Sequence, residues 1–284
     1  MLSVAMIGKN EETCVPAALD SVRQVASEVI FVDTGSTDNT KKIVTQAGGR
    51  VSEFDWTDDF SAARNHGLQR CTSKWILVID CDEQLMLNSR SVRFIKELFL
   101  TTNLEFAYEV KIKNYLANGA TEWHSNIRLF RNNLGLFFEN PIHETLSDAV
   151  FRRNPTRLLP LAELSISHSG YKFPERNNRK RQRNLTILKK WVNDSPENPF
   201  AWYKLGLTLR GNDNPKAVAC LFRSFELLIT RDDRHTFSFR YELLRVLCTH
   251  LCETNPSLAK MVEQRGQLAF GREPLEKRIG GEFQ

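Results

Sequence analysis

The sequence predicts an α/β protein: a mainly parallel sheet with helices on both faces, followed by an all-α region. Two observations carry this. Up to about residue 85, short apolar runs alternate with helix-period segments of about ten residues, the pattern of strands joined by crossover helices. Beyond about residue 175 the strand signals stop and only helix-period segments remain. The expected domains are 1–172 and 173–284. With 284 residues, 41% of them hydrophobic, the chain can bury one large core and a smaller second one.

Each element has a local reason. Ser3–Ile7 reads as a strand, and Glu12–Val25 as a helix with Val15, Ala18, Leu19 and Val22 on one face. Glu28–Val32 is a second strand, and Asp38 or Asn39 can cap a helix running to about Ala47. Arg50–Phe54 is a short strand, Ser61–Arg70 a helix, and Trp75–Asp80 a continuous apolar run suited to a strand buried on both faces. Ser91–Leu100 is helical and Glu105–Tyr115 alternates as a strand. Asn126–Phe130 and Leu134–Glu139 read as an antiparallel pair around Arg131-Asn132-Asn133, and Leu164–His168 as a further strand. These last strands are expected to extend the first sheet. The helical region reads as Asn184–Val192, Phe200–Arg210, Lys216–Thr230 and Phe237–Glu253, with a polar, frayed tail from Gly271 to Gln284. Trp202, Leu205, Gly206 and Leu209, followed by Ala217, Cys220 and Phe222, fit a tetratricopeptide-like helix-turn-helix, and a plain helical cap would share that pattern.

Composition narrows the function classes. There is no apolar run of about 18 residues, so no transmembrane helix is expected. Met1 leads straight into a strand-like segment, so no signal peptide is expected. The six cysteines are scattered in apolar surroundings, and core packing explains them better than a metal or redox pair; a reducing, cytoplasmic setting follows as the expectation. The net charge of +5 is concentrated between Lys172 and Lys190, where eight Lys or Arg residues face one acid, Glu175. That stretch suits a solvated helix face, nucleotide-sugar phosphates, an anionic acceptor or peripheral contact with an acidic membrane surface. Nucleic acid is not expected, because stacking aromatics are not interleaved with the charges.

Polar clusters fall where strands end, and ligands of parallel sheets bind beyond carboxyl ends. Lys9-Asn10-Glu11-Glu12 follows the first strand, and Asp33-Thr34-Gly35-Ser36-Thr37-Asp38 the second. A carboxylate at Asp33 can grip a ribose hydroxyl or a base imide. Asp59–Leu68 carries Ser61, Arg64, Asn65 and His66, and Asp80-Cys81-Asp82-Glu83 closes the buried strand. Two carboxylates one residue apart at a strand tip suit a hard divalent cation held against a diphosphate. Taken alone, such a pair is also an ordinary strand-end turn.

In this order, V-D-T-G-S-T-D-N-T, F-S-A-A-R-N-H-G-L and V-I-D-C-D-E resemble glycosyltransferase family 2, the inverting GT-A enzymes with nucleotide-sugar donors. The likeness covers roughly residues 1–172, and is greatest to the bacterial branch with a tetratricopeptide-like tail. That branch includes sublancin-type peptide S-glycosyltransferases, with lipopolysaccharide-core glucosyltransferases as relatives. The resemblance implies that Asn10, Glu11 and Asp33 hold the nucleoside, that Arg64 and Asn65 face the diphosphate or donor sugar, and that Asp80 and Asp82 are the D-x-D acids. Asp82 is then the more direct ligand of Mg²⁺ or Mn²⁺. His168, in Ser167-His168-Ser169-Gly170, resembles the late histidine that completes many GT-A metal sites, and a buried structural histidine would look the same. The family's usual Glu-Asp pair has no counterpart here. Pro141-Ile142-His143-Glu144 stands in its place, with Glu144 as base candidate and His143 as a neighbour that orients it or touches the donor.

The expected activity is metal-dependent, inverting transfer from a nucleotide-diphosphate sugar, UDP by resemblance, to a peptide, protein or glycan acceptor. The transferred group is expected to be a hexose. A glycolipid acceptor of the lipopolysaccharide-core kind is the alternative, and a non-catalytic helical-repeat scaffold the second. A nucleotidyltransferase is disfavoured, since the first strand is followed by acids where a basic glycine-rich loop is needed. The tail offers a surface for a peptide or protein partner or for a second copy of the chain.

Overall fold

The computed structural model describes residues 1–100, 107–116, 118–146, 158–169 and 174–271. The chain divides into two compact units, Met1–Asn178 and Arg179–Gln284. The tail beyond Gly271 and the expected boundary at 172/173 lie outside the described residues.

The first unit is built on β1 (Leu2–Gly8), α1 (Val15–Val22), β2 (Glu28–Asp33), α2 (Thr40–Gln46), β3 (Arg50–Glu53), α3 (Phe60–Leu68), β4 (Trp75–Val78), β5 (Glu83–Met86), α4 (Ser89–Leu100), β6 (Ala107–Tyr115), β7 (Thr121–Arg131) and β8 (Leu158–His168). All eight strands join one sheet in the order β3-β2-β1-β4-β7-β6-β8-β5. The first four are mutually parallel, as their helical crossovers require. β7 then joins antiparallel to β4, β6 antiparallel to β7, β8 parallel to β6, and β5 antiparallel to β8. The later strands therefore do extend the first sheet.

Two apolar layers clamp that sheet. On one face Val15, Ala18, Leu19 and Val22 of α1 and Ile95 and Leu98 of α4 pack on Val4, Met6, Leu77, Ile79, Val110, Ile112, Leu164 and Ile166. On the other, Leu68, Cys71, Phe138 and Leu146 pack on Ala5, Ile30, Ile76, Val78, Ala107 and Ile127.

Three readings change. Leu134–Glu139 is not a strand; β7 pairs with β6, and only an isolated bridge links Glu139 to Thr145. The alternation there is real, because Leu134, Leu136 and Phe138 lie against the core, but a loop laid on a core produces it without strand partners. Glu83–Met86, given no element of its own in the expectation, is a strand whose Glu83 and Leu85 are buried while Gln84 and Met86 are exposed. Pro256–Phe270 forms a helix that the sequence reading did not separate, capped by Asn255 through the Leu258 N–H. The cysteines divide as well: Cys71, Cys81 and Cys220 are buried, whereas Cys252 is exposed.

Among its described residues the second unit has helices and no strand: the greater part of α5 (Pro174–Asp194), then α6 (Pro199–Leu209), α7 (Asn214–Ile229), α8 (Arg240–Thr254) and α9 (Pro256–Phe270). Asn198 and Asp213 cap α6 and α7 with side-chain oxygens. α6 packs on α7 closely enough that a Cβ at Gly206 would lie 2.7 Å from Leu221, which explains the glycine in the W-x₂-L-G pattern. Among the described residues no helix is long and apolar enough to cross a membrane.

One polar knot ties the amino ends of the first strands. Glu28 Oε1 accepts hydrogen bonds from Ser3 Oγ at 2.5 Å and from the Thr72 N–H and Oγ at 2.6 and 2.9 Å, while Arg50 approaches Oε2 at 3.0 Å. Burial pushes the Glu28 carboxyl upward, but the donors and Arg50 outweigh it and leave it below its ordinary value. A carboxylate lowered on folding stabilises the fold above its unfolded value of about 4.3, and that contribution fades as pH falls through the folded value. Glu28→Gln is therefore expected to lower unfolding free energy by about 1–3 kcal/mol at pH 7, with the gap to wild type closing below about pH 4, read by urea unfolding across pH.

Candidate active site at the carboxyl edge of the sheet

The carboxyl ends of β1, β2 and β4 stand side by side. Gly8 pairs with Asp33, and the Cys81 thiol donates to the Ile7 carbonyl at 3.3 Å. A Cβ on Gly8 would come within 2.7 Å of Cys81 Sγ and 2.9 Å of the Phe31 ring. The first strand thus needs glycine at its tip, and the D-x-D needs a small middle residue. Burial, with Glu11, Asp80 and Asp82 nearby, raises the Cys81 thiol well above its ordinary value.

At the β2 tip, Asp33 is 2% exposed. Its Oδ2 accepts from the Gly35 and Ser36 N–H groups at 3.1 and 2.9 Å, an Asx turn that Gly35 permits by its φ of 101°. Its Oδ1 is buried with no hydrogen-bond partner among the described residues. Asn10, at φ 57°, bridges to the same turn: its N–H donates to Ser36 Oγ at 3.0 Å and its Oδ1 accepts from the Thr37 N–H at 2.8 Å. The Glu11 N–H donates to Thr40 Oγ at 2.8 Å. The β1 and β2 tips are thereby one rigid piece.

The D-x-D acids part company. Asp80 sits between two guanidiniums: Oδ1 is 2.8 Å from Arg64 and Oδ2 3.4 Å from Arg128. Burial alone would raise Asp80, but Arg64 and Arg128 hold it well below the usual carboxylate range. Asp80, expected to share the cation, has its charge answered by two arginines. Asp82 turns the other way, with Oδ2 3.5 Å from His168 Nε2. The strand register makes this meeting: His168 of β8 lies opposite Glu83 of β5 and Asn114 of β6. His168 Nδ1–H donates to Asn114 Oδ1 at 2.9 Å, and Asn114 Nδ2 donates to His124 Nδ1 at 3.1 Å. Since Asn114 Oδ1 can only accept, His168 carries a proton on Nδ1 and turns Nε2 toward Asp82. Burial would lower His168, but Asp82, Glu83 and Asp80 raise it above its ordinary value; burial and Arg128 lower His124.

Arg64 and Asn65, expected to face the donor, are occupied within the protein. Arg64, 9% exposed, also donates from Nε to Glu144 Oε1 at 2.6 Å, and stacks over Phe138 at 5.4 Å. Asn65 accepts from the Phe138 N–H at 2.7 Å and donates to its carbonyl at 2.9 Å, as a neighbouring strand would. Asp59 caps α3 through the Ala62 N–H, and Ser61 and the Phe60 N–H bind the carbonyls of Asn140 and Pro141. Helix α3 thus holds residues 138–146 in place. Of the two candidate bases there, Glu144 has a side chain 13% exposed, while His143 is exposed at φ 56°.

Two residues escaped the sequence reading. Glu83, 2% exposed, accepts from the Asp80 N–H at 2.8 Å and from Arg128 at 2.7 Å. Burial and Asp80 raise its carboxyl, against the pull of Arg128. Arg128 has no motif of its own, and the one usable signal was an arginine inside the apolar stretch of β7.

Arg64→Ala would leave Glu144 without its cation and Asp80 with Arg128 alone. A loss of about 3–5 kcal/mol in urea unfolding is expected, with Arg64→Lys intermediate because an ammonium lacks the fork that reaches both acids.

The family model for glycosyl transferase family 2 matches residues 3–155. A TPR repeat-containing protein of Synechococcus elongatus is 32% identical over 251 residues, 86% of this chain and 60% of the relative. The SPbeta prophage-derived glycosyltransferase SunS of Bacillus subtilis is 27% identical over 263 residues, 89% of this chain and 59% of SunS. The chain therefore spans about three-fifths of the length of these relatives. Among solved structures, S. aureus TarS 1-349 in complex with UDP-GlcNAc gives a TM-score of 0.56 at 13% identity, covering 96% of this chain and 93% of that one. The UDP complex of the same protein gives 0.53 at 16% identity, covering 100% and 93%. The sheet is that of the GT-A fold, and the chain belongs to glycosyl transferase family 2.

Proposed function

We propose that the chain transfers a sugar with inversion from a UDP-linked donor to a peptide, protein or glycan acceptor. The observation that carries this is the Asp82–His168 pair on the same sheet edge as the unpartnered Oδ1 of Asp33. Asp33 supplies an acceptor for a base imide or ribose hydroxyl, and Asn10 and Glu11 shape the rest of the nucleoside pocket. The complexes of TarS with UDP and UDP-GlcNAc support the choice of nucleotide.

The residues fit a divalent cation. Among the described residues no three or more His, Cys, Asp or Glu side chains gather as a complete cage. Asp82 and His168 offer an open pair, which suits a cation that takes its other ligands from donor phosphates and water. A mixed nitrogen and oxygen set favours Mn²⁺ over Mg²⁺, whose sites are built from oxygen. When bound, the cation stabilises charge on the departing diphosphate. Asn114 fixes the His168 ring, the outer-shell role that keeps the ligating nitrogen aimed.

Geometry favours His143 over Glu144 as the group that takes the acceptor proton. Glu144 has Oε1 committed to Arg64, whereas His143 is exposed beside it. Glu144 then positions, holding Arg64 and through it Asp80. A second reading places a glycolipid acceptor at a membrane surface, with Arg179, Arg183, Lys189 and Lys190 exposed along α5. Retention on anionic vesicles checks it.

Screening UDP-sugars with Mn²⁺ for UDP release is expected to find a donor, with EDTA abolishing turnover. Asp82→Ala should lower kcat by about 100-fold or more, and His168→Ala by about 10–100-fold with partial recovery at high Mn²⁺. Metal-independent release that survives Asp82→Ala would refute the reading. His143→Ala should stop transfer without changing Tm, and Glu144→Gln should lower Tm; the opposite pattern would return the base to Glu144.

A further inference from the structure

Among the described residues of the first unit, the second half of the sheet has a face on which Lys111, Trp123 and Ser125 are exposed. Val110, Ile112, Leu164, Ile166 and Leu85 point into the core beneath α1 and α4, so their alternate neighbours point the other way. That opposite face carries Lys111, Lys113 and Tyr115 on β6, Trp123 and Ser125 on β7, and Ser165 and Ser167 on β8. Lys111, Trp123 and Ser125 are exposed, and Trp123 is 55% exposed. An indole left this open on a flat, four-strand surface about 14 Å wide is unusual enough to ask what lies on it.

The composition of the face narrows the answer. Lys113 pairs with Trp123 across the strands, and its Nζ stands 5.1 Å from the Tyr115 ring centre and 5.7 Å from that of Trp123. Lys111 adds a second cation one step down, and Glu109 marks the lower end. Under Lys111, Lys113, Ser165 and Ser167 the strands β6 and β8 are hydrogen-bonded on both sides and offer no free main chain to an extended peptide, while β7 from Thr121 to Ile127 pairs with β6 alone and meets β4 only at Leu129–Arg131. What the surface offers is an aromatic plane for a ring, hydroxyls, and two ammonium groups for an anion.

The face also runs into the catalytic edge. Lower down, the same side is covered by Phe138 and Leu146, which pack on Ala107 and Ile127 and belong to the loop bearing His143 and Glu144. A ligand lying on Trp123 is therefore on the side of the sheet that carries the candidate base.

We propose that this face is the acceptor platform and that the acceptor is an acidic glycan, with one sugar ring on Trp123 and its anionic substituent at Lys111 and Lys113. The inference rests on the function proposed above and names its acceptor class.

Calorimetric titration of the full chain with a hyaluronan hexasaccharide, neutral chitohexaose and a hexaglutamate peptide tests it. Hyaluronan should bind most tightly. Trp123→Ala should weaken it about tenfold or more, as loss of an aromatic anchor does, and Trp123→Phe should restore most of that. The Lys111→Ala/Lys113→Ala double variant should remove the preference for the acidic over the neutral glycan. Tighter binding of hexaglutamate, equal binding of the two glycans, or unchanged affinity in both variants would overturn the proposal. Donor hydrolysis by the wild type is scored separately: hydrolysis without Trp123-dependent binding sinks the platform alone. Absence of hydrolysis with every UDP-sugar sinks the function, while the titration still decides whether the face holds acidic glycans.

Discussion

The Arg64 guanidinium is the constraint on which the site depends. It reaches from α3 to Asp80 at the end of β4 and to Glu144 in the loop after β7, so one buried cation fixes two acids from distant parts of the chain. A buried ion pair rarely adds much net stability, because desolvation consumes most of the Coulomb gain. What it supplies here is placement. Asp80 is held between Arg64 and Arg128, and its neighbour Asp82 faces His168. The two carboxylates of a D-x-D pattern thus acquire different surroundings, one between two arginines and one against a histidine.

Strand order does the rest. Three parallel strands bring Asn10, Asp33 and Asp80 to a common edge, as expected where neighbouring crossovers begin. His168 arrives from elsewhere, because β8 is inserted between β6 and the short strand that continues from the D-x-D turn. Asn114 then sets its proton. Glu83 and Arg128 form a buried layer under this arrangement, holding the Asp80 backbone and side chain together.

Much of this was legible in the sequence because it is local. The apolar run Trp75–Ile79, the Asp33-Thr34-Gly35 turn and the acids after each strand announce themselves by spacing alone. The tasks of Arg64 and Asn65 were not legible, since an arginine facing a diphosphate and one facing two carboxylates look alike until the partners are placed. Leu134–Glu139 misled for a related reason: alternation records which side of a segment is buried, not whether it has strand neighbours. Glu83 was hidden because a buried charged residue is inferred only from its partner, and Arg128 lies 45 positions away. The GT-A class survived these misreadings because it rests on the order of several weak motifs, each tied to a different strand tip.

The Asp82–His168 pair has a kinetic consequence through the pairing of β5 with β8. Ser169 donates to the Asp82 carbonyl across 87 positions of chain, whereas the bonds that join the β1 and β2 tips link residues fewer than about thirty apart. Closing the longer loop costs more entropy, and nonlocal pairings of this kind slow folding. β5 lies at the rim of the sheet with β8 as its single strand neighbour, so its amide protons are expected to exchange sooner than those of β1 and β4. The Asn10–Asp33 side of the sheet edge can therefore persist through fluctuations that dismantle the Asp82–His168 side.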